Sequence, residues 1–174
     1  GEDLCQGGGS MPQERAIHLF AAKHEWEGFQ IVVRDAQGVE GVNVSITELT
    51  GPNDAVVSKT HARLYREHFL DVTNASSGSA TFHEREIGLY PDPLIPLTDP
   101  YQEGDVPVGA PFDLTADQTG VIYIDWYIPR GTEPGDYVGS VTITAGDRDP
   151  MDVSLKVTVW DFEMPERRTI GTAY

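Results

Sequence analysis

The sequence predicts an all-β fold: an antiparallel, immunoglobulin-like β-sandwich of about seven to nine strands with a long Pro-rich middle loop. Three observations predict it. Short segments alternate apolar and polar residues at period two, clusters of Gly, Pro, Asn and Asp separate them, and no run holds an i, i+3, i+4, i+7 stripe long enough for a helix. The 18 Gly and 12 Pro among 174 residues suit a loop-rich β protein. The Cys–Trp–Cys pattern of antibody domains is absent, since Cys5 is the single cysteine.

Residues 1–14 are polar and Gly-rich and read as a flexible lead-in; the sandwich domain is expected over 15–165. Ile17 to Ala22 is the first expected strand. Glu27 to Arg34 follows, with Phe29, Ile31 and Val33 on one face, and Val42 to Thr47 alternates apolar on even positions. Gly51-Pro52-Asn53-Asp54 makes a turn, and Ala62 to Val72 reads as a strand. The stretch 73–111 reads as irregular, because prolines at the density of Gly88-Leu89-Tyr90-Pro91-Asp92-Pro93-Leu94-Ile95-Pro96 bar a helix interior and a central strand. Strands return at Val121 to Ile128, Tyr137 to Thr144 and Asp152 to Trp160. In the first of these Ile122, Ile124, Trp126 and Ile128 share the inward face; in the last, Val153, Leu155, Val157 and Val159 do.

Twelve Lys and Arg against 28 Asp and Glu leave a net charge of −16, which repels phosphate backbones and anionic headgroups. Neither nucleic acid nor a membrane is therefore an expected partner, and no run approaches the ~20 apolar residues of a membrane span. The acidic, Lys-poor composition suits extracellular water.

Little in the chain looks catalytic. No Gly-x-Ser-x-Gly, His-Glu-x-x-His or phosphate loop is present, and the histidines (His18, His24, His61, His68, His83) show no ligand spacing. Glu25 and Glu27 share a strand face but lie on a flat sheet, where the opposed carboxyls of a glycosidase cleft are not made. Asp99, Glu103 and Asp105 are hard oxygen donors close together in the irregular middle, a candidate Ca2+ site without any EF-hand spacing. No other cofactor is expected. Tyr123, Asp125 and Tyr127 stand on the outward face of their strand, offering aromatic rings for pyranose C–H faces and a carboxylate for hydroxyls: a candidate carbohydrate-binding set. The competing reading is that this face is covered by a neighbouring element or domain.

Five blocks, in order, carry a resemblance. Glu25-Trp26-Glu27-Gly28-Phe29-Gln30-Ile31-Val32-Val33-Arg34, Leu64-Tyr65-Arg66-Glu67-His68 and Gly88 to Leu97 are similar to the N-terminal β-sandwich that precedes the barrel of family 123-type glycoside hydrolases and related bacterial proteins of unknown function. So are Tyr123 to Pro129 with Pro134-Gly135-Asp136-Tyr137-Val138-Gly139, and Val159-Trp160-Asp161-Phe162-Glu163-Met164-Pro165. The resemblance implies a non-catalytic accessory domain of a secreted or surface bacterial glycoside-hydrolase-like protein, located outside the cell, on its surface or in the periplasm. It implies that 166–174 begin a linker or the first strand of a barrel. That barrel, the expected partner, would dock on Tyr90, Pro91, Asp92, Leu94, Trp160 and Phe162. The family's catalytic acid pair lies in the barrel, and no position here matches it. Two rival readings remain: a stand-alone carbohydrate-binding module for a polysaccharide, or a structural or adhesive surface module.

Overall fold

The computed structural model of the chain describes residues 16–74 and 87–166. Eleven strands are present among them: β1 (Ala16–Lys23), β2 (Glu25–Arg34), β3 (Val39–Ile46), β4 (Leu49–Thr50), β5 (Val56–Val57), β6 (Ala62–Val72), β7 (Gly88–Pro96), β8 (Phe112–Leu114), β9 (Thr119–Ile128), β10 (Gly135–Thr144) and β11 (Met151–Glu163). They form two sheets. One runs β1-β11-β10-β3-β8, with the two-residue strands β4 and β5 attached through β10; the other runs β2-β9-β6-β7. The expected sandwich is the observed one.

The core lies between the sheets, where the inward alternations meet. Ile122, Ile124, Trp126 and Ile128 of β9 face Leu155, Val157 and Val159 of β11 and Val141 and Tyr137 of β10, all essentially without solvent contact. The inward half of β2 (Phe29, Ile31, Val33) packs at the margin of this layer. Burying each such side chain contributes about 1.5–3 kcal/mol, so these strands carry most of the fold's stability.

Three features differ from the sequence reading. The Pro-rich segment expected as loop is strand β7, paired antiparallel with β6 from Tyr65↔Pro96 to Val72↔Gly88 around a bulge near His68. Proline bars a central strand but not an edge, and β7 is the outermost strand of its sheet. Next, β1 pairs parallel with β11, so one pair departs from the antiparallel pattern. The chain leaves β1 through His24 alone, in the left-handed region at φ 61°, and enters the opposite sheet as β2. That crossing places two consecutive strands on the same side of the sandwich without their being hydrogen-bonded neighbours. Finally, β8 and the β4–β5 pair are too short to show a period in sequence.

Candidate functional site

The outer face of the four-stranded sheet is built by register. Strand β9 is central, flanked by β2 and β6, and its inward isoleucines force Tyr123, Asp125 and Tyr127 outward. Pairing with β2 sets Tyr127 opposite Trp26, Asp125 opposite Gly28 and Tyr123 opposite Gln30. Pairing with β6 sets Asp125 opposite Arg63 and Tyr123 opposite Tyr65. All three residues of the expected carbohydrate-binding set therefore share one face, and the neighbouring strands add Trp26, Arg63 and Tyr65 to it.

Tyr127 is the hub at one end. Its ring centroid lies 5.2 Å from that of Trp26, and His24 and His61 meet it edge-on at 5.7 and 6.1 Å. Its hydroxyl shares a 2.5 Å hydrogen bond with His24 Nδ1, which helps hold His24 in its left-handed conformation. The Arg63 guanidinium lies over the Trp26 ring, 4.5 Å from the centroid, while Trp26 keeps 40% of its surface exposed. Gly28 is needed here: a Cβ would come within 2.6 Å of Tyr123 Cζ, so the phenol can lie across β2 only where no side chain stands.

The face is acidic and partly desolvated. Burial pushes the Asp125 carboxyl up from its ordinary range, with Arg63 pulling the other way. Glu27, opposite Trp126 on the inward side of β2, is also raised, by burial first and then by the charges of Glu25 and Asp125. Tyr123 is raised by burial and by Asp125, Glu27 and Glu67, which keeps its hydroxyl a proton donor. Glu67 is buried and accepts a 2.6 Å hydrogen bond from Gln30 Nε2. Trp26, Arg63, His24 and His61 were not singled out in sequence for this role. Their own segments gave no signal, because only the pairing of β2 and β6 on either side of β9 brings them beside Tyr127.

The remaining candidates fall elsewhere. Trp160 and Phe162 stand on the outer face of the larger sheet, stacked at 5.6 Å, and Phe20 of β1 stacks on Trp160 at 6.1 Å with His18 4.3 Å beyond. Phe20, Trp160 and Phe162 are each about half exposed. Tyr90, Pro91, Asp92 and Leu94 lie on β7, at the edge of the other sheet farthest from β2, whereas β1 contacts β2. The six residues expected at one docking surface are thus divided between opposite edges of the sandwich. Asp99, Glu103 and Asp105 are not gathered into a metal site: no group of three or more His, Cys, Asp or Glu among the described residues is placed to hold an ion. Asp99 instead accepts hydrogen bonds from Tyr101 N (2.9 Å) and Gln102 Nε2 (2.6 Å), and these lower its carboxyl.

The family model for the glycoside hydrolase 123 N-terminal domain matches residues 11–145. Among solved structures, a family 123 glycoside hydrolase from Clostridium perfringens, studied for glycolipid glycan hydrolysis, superposes with a TM-score of 0.68 at 16% identity. The match covers 87% of this chain and 24% of that one, so this chain spans about a quarter of that protein's length. Looser superpositions are with the macrocyclization catalyst AvmM of alchivemycin A biosynthesis (TM-score 0.42, 8% identity, 88% of each chain) and the human CEP192 PapD-like domain 7 (TM-score 0.44, 12% identity, 94% of this chain and 99% of that one). No curated protein matches the chain.

Proposed function

The chain belongs to the glycoside hydrolase 123 N-terminal domain family, and from that premise we propose that it is a non-catalytic accessory sandwich supporting a hydrolytic barrel in the same polypeptide. The observation that carries this reading is the ladder His18–Phe20–Trp160–Phe162 on the outer face of β1 and β11. A contiguous exposed aromatic row on a soluble domain marks a surface that something covers. Its position on the last strand favours the polypeptide that follows as the cover. The Tyr90–Leu94 edge, on the opposite side, then stays outside that contact or meets a separate part of the partner.

On this reading the domain spans 15–165, the following residues lead to the barrel, and the working acids belong to the barrel. The bacterial parent acts outside the cytoplasm, where an acidic, Lys-poor surface is at home. Two measurements test the proposal. The 174-residue chain should give no turnover of aryl glycosides or glycolipid glycans; any hydrolysis abolished by a single carboxylate substitution would overturn the non-catalytic role. In the protein carrying the following domain, the Phe20→Ala, Trp160→Ala pair should let limited proteolysis separate the two domains, and an unchanged digestion pattern would count against this docking face.

A further inference from the structure

We infer that the outer face of β2, β9 and β6 is a binding site for an uncharged pyranose, in which Asp125 and Arg63 take ring hydroxyls while Trp26 and Tyr127 lie against the C–H face. This inference stands apart from the docking of a following domain, which uses the other sheet.

The first ground is a polar group in want of a partner. No hydrogen-bond donor among the described residues reaches the Asp125 carboxylate, although it is half-buried among aromatic rings. Arg63 stands opposite it in the ladder but is drawn over Trp26 instead, and the two make no ion pair within 4.0 Å. A partly exposed carboxylate with no protein donor keeps its oxygens open to solvent, where hydroxyl groups arriving on a ligand can donate to them.

The second ground is what each outer face asks of its cover. The β1–β11 face offers stacked aromatic rings, which suit a polypeptide. The β2–β9–β6 face mixes Trp26, Tyr127 and Tyr123 with Arg63, Asp125, Glu67 and two histidines. A protein partner would have to strip water from those charges, whereas a sugar brings matching donors and acceptors at close spacing. Trp26 and Tyr127 supply the apolar surface that a pyranose C–H face needs.

The third ground is charge. Asp125 and Glu67 outnumber Arg63 on this face, and the whole chain carries −16. Uronic and sialic acids are repelled here, which narrows the ligand to neutral sugars.

The test uses the 174-residue chain and saturation-transfer NMR against glucose, galactose, mannose, N-acetylglucosamine and their disaccharides, with glucuronate and N-acetylneuraminic acid as charged comparators. A neutral sugar should receive transfer and bind with a saturable shift of indole fluorescence. Asp125→Asn, which keeps the side chain's shape, and Trp26→Ala should each weaken it by about tenfold or more. Phe20→Ala, on the other sheet, should leave it unchanged. Transfer to no neutral sugar, equal binding of the acidic sugars, or full affinity in folded Asp125→Asn would each overturn the proposal. Trp26→Ala can disturb the sheet, so the Asn variant, checked by its melting curve, decides.

Discussion

Tyr137 shows how one side chain fixes its neighbours. It is buried on β10, and its hydroxyl donates to the Glu133 carbonyl at 2.9 Å, closing the turn that precedes the strand. The ring body lies against Gly51, where a Cβ would stand 2.5 Å from both Cδ1 and Cζ. Because the ring is enclosed and tied at its far end, it cannot retreat. Gly51→Ala should therefore cost about 1–3 kcal/mol in a denaturant titration. Gly28→Ala should cost less, since the Tyr123 phenol is partly exposed and can swing outward. Equal losses at the two glycines would contradict this account. Glu27 makes a second residue-scale case. Its carboxyl holds a proton more tightly folded than unfolded, so ionising it works against folding. That stability is fully present below the unfolded value of 4.5 and is lost as pH rises through the raised folded value. Glu27→Gln should accordingly raise the melting temperature at neutral pH, with the gain fading in acid. A gain of the same size at both ends of the pH range would mean that charge is not its source.

At the scale of elements, β7 shows both how an edge is guarded and why it was hard to read. Three prolines remove backbone donors from the outermost strand, and the chain after it folds back so that Gly109 N donates to Pro96 O at 2.8 Å. A Cβ at Gly109 would meet Pro96 O at 2.6 Å and Ile95 O at 2.8 Å, both backbone atoms with nowhere to go. Gly109→Ala should lift this segment from the strand, lower stability by about 1–3 kcal/mol, and expose an edge that self-associates in light scattering. A strict monomer of wild-type stability would show that the contact is dispensable. The same element explains what was legible. Strands β9 and β11 announced themselves because one buried face imposes a strict period of two on four successive apolar positions. Strand β7 did not, because its side chains are mostly exposed and its sequence answers to edge protection, not to burial. The parallel β1–β11 pair was hidden for another reason: alternation tells which face a residue takes, never which strand lies alongside. The candidate site divides in the same way. Tyr123, Asp125 and Tyr127 follow from the alternation of β9 alone, while Trp26, Arg63, His24 and His61 join them only through long-range register.

Across the whole molecule, the two sheets turn chemically different outer faces to solvent, an aromatic row on one and a charged, ring-lined surface on the other, while sharing one aliphatic interior. The integrity of both faces depends on β11. It lies between β1 and β10, is the only strand hydrogen-bonded to β1 among the described residues, and inserts Val153, Leu155, Val157 and Val159 into the core. The family match nevertheless stops at residue 145, before this strand begins. Four buried aliphatic side chains at about 1.5–3 kcal/mol each come to roughly the whole 5–15 kcal/mol by which a domain of this kind is stable. Without β11, moreover, β1 would have no partner for its backbone groups, and the inward face of β9 would lie open. A chain cut after Ala145 should therefore show no cooperative thermal transition and should expose Trp126 to solvent, seen as a red-shifted indole emission. The full 174 residues should melt in one step with the indole buried. If the shortened chain still unfolded cooperatively with wild-type emission, the physical domain would end where the match ends, and the core would have to be held by β10 and β3 alone.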